Sequence, residues 1–436
     1  MTRGFDAQSA NPVADAVATS ALQKVRWRLI PFLFILYIVA YLDRVNVGFA
    51  AIDMNRDLGF SAAVYGLGSG LFFLTYTLLE IPSNLMLARL GARVWIARIM
   101  FTWGLASTAM VFVTGPVSFY GLRLLLGAAE AGFFPGLIFY LTHWFPARDR
   151  ARAVALFMTA TAMAGVIGAP LSSALLQLDG SLGLRGWQWL FLIEGIPALL
   201  LAPVVFTRLT ETPAGARWLE PAEREWLTGE IAAEHAQTVD AHVTLRQALL
   251  SPRLWMVSIP YLCIVIAFYG VSFWLPQIVQ ASSGLGSATV VLLSSIPYVA
   301  ATIGLVLVGA SSDRTGERRW HVAVPSAIGA AGFVLTVIGP QTLPFSLATL
   351  SIAAFGIWGT LGPFWTLPTA FLRGTAAAGG IALVNSVGNV GGFIGPSLVG
   401  WIRDTTGEFE NGLLMLAGAL ILGAAVVLAI PKHPQT

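Results

Sequence analysis

About twelve apolar stretches, each long enough to cross a bilayer, run through this chain of 436 residues. They lie near 26–50, 64–88, 94–113, 117–140, 153–177, 188–208, 253–279, 289–311, 322–338, 345–370, 376–402 and 408–430. A spanning helix needs about 20 mostly apolar residues, because the bilayer core holds no water to satisfy an open backbone. Spanning strands would alternate over ~10 residues, whereas these runs are solid. The expectation is an all-α membrane protein with twelve transmembrane helices. Composition agrees: 56% of residues are apolar and 11% charged, against roughly 25% charged in soluble proteins. So few charges cannot cover a water-soluble globule of this size, and so apolar a chain is not disordered. The formal charge is +3 with no dense basic cluster, so no nucleic-acid partner is expected. Cys263 is the one cysteine, and the 5 histidines are scattered, so neither a disulfide framework, a metal site nor a cofactor is expected.

The charges sort by side. With the N-terminus inside, cytoplasmic segments collect 20 of the 25 Lys and Arg, among them Arg3, Lys24, Arg89, Arg93, Arg246, Arg314, Arg373 and Lys432. Outer loops collect Arg56, Arg185 and Arg403, while Arg44 and Arg123 fall inside apolar blocks. This bias places both ends in the cytoplasm and calls for an even number of spans. The first 24 residues lack the apolar run and cleavage site of a signal peptide, so the block at 26–50 is expected to be retained. One long polar stretch, 209–252, contains Glu220, Glu223, Arg224, Glu225, Glu230, Glu234 and Asp240. It divides the chain into a tail 1–24, a six-helix bundle 25–208, the loop 209–252, a second six-helix bundle 253–431 and a tail 432–436. Pro221–Glu234 reads as an amphipathic helix on the cytoplasmic surface, tethering the halves.

An internal repeat supports two halves. Gly309, Asp313, Arg314, Gly316, Arg318 and Arg319 follow the eighth block. Aligned without a gap, Arg89, Gly91 and Arg93 after the second block match Arg314, Gly316 and Arg318. The physics is a tight glycine turn between helices, with arginines able to cap the C-terminal carbonyls of a neighbouring helix. Equivalent copies in two halves indicate a parallel repeat, the plan of one transporter class.

The second copy resembles the G-x-x-x-D-R-x-G-R-[RK] signature of the major facilitator superfamily at nearly every position. The first copy is degraded, with Asn84 and Ala88 in place of its first Gly and its Asp, which weakens the expected latch in that half. Further stretches resemble the superfamily's anion:cation symporter branch: Tyr41 to Phe49, Tyr76 with Glu80 to Asn84, Arg123 to Pro135, Gly362 to Pro368, and Gly379 to Gly400 with Asn385 and Asn389. The resemblance implies the major facilitator fold of two pseudo-symmetric six-helix bundles in the inner (plasma) membrane. It also implies import of a small organic carboxylate by proton symport, with alternating access. One chain carries both halves of the pore, so a monomer suffices.

Ionisable residues inside spans are the sharpest functional signal, since each costs roughly 2.5–3.5 kcal/mol or more at the bilayer centre. The first half holds Asp43, Arg44, Glu80, Arg123, Glu130 and Glu194; the helix interiors of the second half hold none. Arg123 and Glu130 are seven apart and share a helix face, roughly 10 Å apart along it. Asp43 and Arg44 point about 100° apart, so at most one can centre on a cavity. A carboxylate substrate needs a cation, and a guanidinium binds it bidentately; Arg44 and Arg123 are the embedded candidates. The resemblance implies Arg44 as the anion ligand, proton handling by Asp43 and Glu130 with Arg123 beside them, and Tyr41, Tyr76, Trp365, Asn385 and Asn389 as further substrate contacts. Asn385 and Asn389 read equally as helix–helix hydrogen-bonding amides, and Glu80 and Glu194, nearer helix ends, read as structural. With Phe364, Gly362 and Thr161 at positions where sugar-acid carriers are polar, the resemblance points to a short dicarboxylate or an aromatic acid. Two alternatives stand beside import. A proton/drug antiporter would carry G-P-x-x-G-G where this chain reads Gly165 to Ser173. A transport-like membrane sensor would not need proton coupling.

Overall fold

The computed structural model describes residues 12–237, 252–371 and 375–431. Arg3, Arg246, Arg373, Lys432, residues 1–11 of the first tail and all of the second lie outside them. Fifteen α-helices form the described fold: α1 Pro12–Leu58, α2 Ala62–Leu90, α3 Ala92–Ala109, α4 Pro116–Glu130, α5 Phe133–Thr142, α6 Ala147–Leu176, α7 Gly186–Arg208, α8 Pro221–Gln237, α9 Pro252–Ala281, α10 Ser287–Leu293, α11 Ser295–Thr315, α12 Arg319–Ile338, α13 Leu343–Phe371, α14 Thr375–Thr406 and α15 Glu410–Ala429. No strand occurs among the described residues. Among the described residues, eleven helical stretches are long and apolar enough to span a bilayer. The twelfth expected span, α14, has the length but is not among the eleven; Asn385, Asn389 and its many glycines dilute its apolar content.

Three further departures from the sequence reading have local causes. The block at 117–140 is broken between α4 and α5. Pro135 cannot donate to a helical ladder and crowds the carbonyl four residues back. Gly132 turns the chain at φ +84°, and a side chain there would meet Ser83 Oγ of α2 at 2.5 Å. The block at 289–311 divides at Ser294 into α10 and α11, where Pro297 has the same effect one turn on. The expected tail 1–24 is helical from Pro12 and continuous with the first span. It is held by α8: Ser20 Oγ donates to Glu223 Oε1 at 2.6 Å, and Lys24 Nζ reaches Glu223 and Glu220 at 2.7 and 3.1 Å.

Within the first half, α3 packs on α7, α2 on α4 and α1 on α6; within the second, α9 packs on α14 and α11 and α12 on α13. The halves meet through α2 with α14, α6 with α11, and α1 with α9. We call the end of the bundle where α1 begins the near end. At the far end the halves are in intimate contact. Asp404 of α14 accepts hydrogen bonds from the amides of Ala62 and Ala63, both at 2.9 Å, at the N-terminus of α2, where the helix dipole favours an anion. Tyr65 of α2 donates to the Phe273 carbonyl at 2.8 Å, and Ser173 of α6 donates to the Ala288 carbonyl at 2.7 Å. Gly66 brings α2 against α14 so closely that a Cβ there would lie 3.1 Å from Gly400 Cα.

The repeat loops sit at the near end. Gly91 and Gly316 turn at φ +87° and +68°, and Arg89 and Arg314 are exposed. Gly309 is half-buried in α11. In the second half Arg318 pairs with Asp313 at 2.7 Å, and Arg319 caps the Val427 and Leu428 carbonyls at the end of α15. In the first half the helix that follows the loop is capped from elsewhere. Glu211, just past α7, accepts from the amides of Ala92 and Arg93 at 2.9 and 3.0 Å, and the Arg93 guanidinium lies over the Phe206 ring.

The α1–α8 clasp has a pH signature. Burial pushes the Glu223 carboxyl up, but the hydrogen bonds from Lys24 and Ser20 outweigh it and hold the group below the ordinary range. A depressed carboxylate contributes stability above its ordinary pKa of about 4.3 and loses it as pH falls further. Hydrogen exchange of residues 17–24, corrected for intrinsic rates, should therefore rise below about pH 4 and be raised already at pH 7 in Glu223→Gln. Unchanged protection in the variant would contradict the clasp.

Candidate functional site

Asp43 and Arg44 sit mid-helix in α1, where adjacent side chains diverge by about 100°, and the structure sends them to different places. Arg44 is 6% exposed and faces the other half. Its Nη2 donates to Glu130 Oε1 in a buried ion pair, and its Nη1 donates to the Tyr269 hydroxyl of α9 at 3.2 Å. The guanidinium carbon lies 5.2 Å from the Phe72 ring centre and 5.0 Å from that of Tyr76, a distance at which ring faces attract a cation. Arg44 Nε and Glu130 Oε2 have no partner among the described residues. The pair thus has one unused donor and one unused acceptor.

The break after α4 explains how Glu130 reaches this place. Glu130 is the last residue of α4, and the chain then turns through Ala131 and Gly132 to start α5. Arg123, seven residues earlier, does not pair with it. Arg123 is fully buried, donates to the Gly68 and Ser69 carbonyls of α2 at 3.3 and 3.0 Å, and stands over Phe72 and Phe273. Phe72 is therefore a ring shared by the two embedded arginines.

Asp43 turns into the first half. Trp103 Nε1 and Ser107 Oγ of α3 donate to its two oxygens, each at 2.8 Å, and Asn46 approaches at 3.5 Å. No cation pairs with it among the described residues. Glu194 of α7 is equally buried and accepts from Ser172 Oγ at 2.6 Å. With Glu80 and Glu130, these make four buried acids in the spans of the first half, of which only Glu130 pairs with an arginine among the described residues.

Of the expected substrate contacts, Tyr76 lies beside Arg44, and Tyr41 precedes Arg44 by about one turn on α1. Tyr41 is buried with its hydroxyl unpartnered and sits edge-on to Phe268. Trp365 stands apart in an aromatic group of α9 and α13, 4.8 Å from Tyr261 and 5.6 Å from Phe364 between ring centres. Asn385 and Asn389 share a face of α14, and both donate to Glu80 of α2, at 2.7 and 3.0 Å. Sequence reasoning did not select Tyr269, Trp103 or Ser107. Their only signal was polarity within an apolar run, which many other residues share. Among the described residues no group of His, Cys, Asp and Glu is arranged to hold a metal.

With this geometry in view, comparison with known proteins is informative. A sequence profile of the Major Facilitator Superfamily matches residues 33–396. An Agrobacterium vitis protein named "Putative tartrate transporter" is 46% identical over 428 residues, covering 97% of this chain and 95% of that one. An Acinetobacter baumannii protein named "Quinolone resistance transporter" is 43% identical over 406 residues, covering 92% of this chain and 93% of that one. A crystal structure of a bacterial homolog to the human lysosomal transporter Spinster, inward-facing and occupied, superposes with a TM-score of 0.74 at 18% identity, over 93% of this chain and 96% of that one; it speaks to the fold alone.

Removing one partner of a buried ion pair strands the other, at a cost of about 3–5 kcal/mol, whereas replacing both is far milder. Arg44→Met should accordingly lower stability in mixed-micelle denaturation by about that amount, and Arg44→Met with Glu130→Met should recover most of it. A double variant no more stable than the single one would contradict the pairing.

Proposed function

The chain belongs to the major facilitator superfamily and is a multi-pass membrane transporter of a small molecule; from that premise we propose that it imports a small organic carboxylate by proton symport. The observation that carries the reading is the Arg44–Glu130 pair. A guanidinium facing the opposite half is held by an internal carboxylate, beside the Tyr76 ring and a Tyr269 hydroxyl of α9 that accepts from it. A substrate carboxylate offers Arg44 the same chemistry as Glu130 and can take its place.

Charge balance supplies the coupling. With Glu130 ionised, Arg44 is neutralised and holds no attraction for an anion. With Glu130 protonated, Arg44 is free, and the anion restores neutrality. Binding of proton and anion are then mutually reinforcing, because each favours the state the other prefers. Asp43, held by Trp103 and Ser107, is the second acid of the scheme, and Arg123 supports it by adding positive potential behind Phe72. Alternating access follows from rocking the two halves at the α2–α14 and α6–α11 seams. The near end, which carries most of the Lys and Arg, is the cytoplasmic face in this reading. The membrane is the inner membrane and the working unit a single chain.

The relative named for quinolone resistance favours a second reading, a proton/drug antiporter. The stretch Gly165 to Ser173 in α6 lacks the G-P-x-x-G-G element of such antiporters, and the acids of the first half serve either reading. Proteoliposomes separate the two. Symport predicts uphill accumulation of labelled tartrate when the outside is acidic, abolished by a protonophore. It also predicts that Glu130→Gln loses accumulation but keeps exchange of substrate across the membrane. Uphill movement of a fluoroquinolone against the proton flow, with no carboxylate uptake, would overturn the symport reading.

A further inference from the structure

The far end of the seam between the halves holds a polar cavity of about 370 Å³, within the ~300–1,000 Å³ range of small-molecule sites. Asn55 and Arg56 of α1, Gln277 and Gln280 of α9, and Arg403 and Asp404 of α14 line it. None of these residues belongs to the site built on Arg44. Their charges are unevenly spent. Both oxygens of Asp404 are taken by the amides of Ala62 and Ala63. Arg56 is paired with Asp53 at 2.9 Å and with Asp57 at 3.5 Å. Arg403 forms no ion pair among the described residues. Its guanidinium carbon lies 4.0 Å from the Phe409 ring centre and 5.9 Å from that of Trp274, and its Nη1 donates to Gln277 Oε1 at 3.2 Å. Rings and a neutral amide position a guanidinium without supplying it with an anion.

Gln277 is only 7% exposed. Its Oε1 also accepts from Asn55 Nδ2 at 3.5 Å, while its Nε2 has no partner among the described residues. A buried N–H without an acceptor is costly. A cation short of an anion thus stands beside a donor short of an acceptor, and one carboxylate answers both. The place of the cavity along the seam matters as much. Asn55 is eleven residues beyond Arg44 on α1, within about 20° of the same face and roughly 16 Å farther out. Gly48 lies between them, within about 40° of that face, and it seals α1 against α9. A Cβ there would stand 3.0 Å from the Ser272 carbonyl oxygen. Tyr65 of α2, bonded to the next carbonyl, Phe273, closes the same level. The order outward is therefore Arg44, seal, cavity.

We propose that this cavity is an outer anion site. It holds a carboxylate of the substrate between Arg403 and the Gln277 amide, on the outer side of the closed seal, before the halves part and admit it to Arg44. The proposal rests on the organic-anion reading, in which the far end is the outer face, and adds a second binding step to it. A cation at the mouth of a closed seam also raises the local concentration of an anion there. The two sites differ in one respect that makes them separable. The Arg44 cation has a carboxylate of its own in Glu130, whereas the Arg403 cation has a neutral glutamine in the equivalent role. Anion binding outside therefore displaces no internal acid and calls for no proton.

The test measures binding of labelled tartrate to the purified full chain in nanodiscs at low salt. Wild type should show two classes of site. Arg44→Met with Glu130→Met removes the inner site and strands neither charge, and it should keep the outer one. Gln277→Glu in that double variant gives Arg403 a carboxylate from within, and should weaken the remaining binding by about tenfold or more. It should leave the melting temperature unchanged or raised, because it adds an ion pair, so that lost binding is not lost fold. Arg403→Gln should weaken the same site, and serves if the glutamate variant does not fold. Inorganic phosphate separates the substrate from an inorganic occupant. Phosphate that displaces the remaining tartrate at lower concentration than unlabelled tartrate does would overturn the assignment to substrate. A double variant that binds no tartrate, beside a wild type that does, would overturn the outer site and leave the organic-anion reading standing. Remaining binding untouched by both Gln277→Glu and Arg403→Gln would overturn it equally. If wild type binds no tartrate, the organic-anion reading fails and the outer site with it.

Discussion

An arginine buried among membrane helices must have a counter-charge, and the choice of that counter-charge organises this protein. Arg44 takes Glu130. To bring the two together the chain ends α4 at Glu130, turns through Gly132 and restarts at α5, where Pro135 forbids a continuous helix. Phe72 and Tyr76 line the guanidinium on one side, and Tyr269 reaches it from the opposite half. The pair is strong enough to hold the resting site neutral, yet it has an equivalent outside the protein, since any soluble carboxylate offers Arg44 what Glu130 offers.

The second half contributes no embedded charge and answers with neutral donors and rings. Its amides at Asn385 and Asn389 find their acid on α2, and its backbone carbonyls at Phe273 and Ala288 receive Tyr65 and Ser173. Charge lies in one half and neutral complement in the other, so the halves can separate without leaving two opposite charges stranded. At the far end glycine contacts such as Gly66 with Gly400 supply the closeness; at the near end Glu211 and Asp313 fasten each repeat loop within its own half.

The span pattern was legible because burying a backbone in lipid needs about 20 apolar residues, a demand that sequence displays directly. The embedded charges were legible for the complementary reason, that lipid penalises them. What could not be read were pairings across the fold. Arg123 and Glu130 share a face of one helix, yet the acid pairs with Arg44, 86 residues away, because the turn at Gly132 re-aims it. Asn385 and Asn389 read equally as ligands or as helix contacts, and their bond to Glu80 spans 305 and 309 residues. Such bonds depend on helix register and rotation, for which spacing within one segment holds no information. The cap that Glu211 gives the start of α3 comes from a distant loop and was likewise not legible.

The central claim is that substrate takes Arg44 from Glu130. A carboxylate left buried without its cation is too costly to stay charged, so Glu130 must then acquire a proton. Calorimetric titration of the purified protein with tartrate at pH 7, repeated in buffers of different ionisation enthalpy, counts protons taken up on binding. The account predicts net uptake in wild type, lost or clearly reduced in Glu130→Gln. Tight binding with no proton uptake in wild type, or uptake unchanged in the variant, would contradict it.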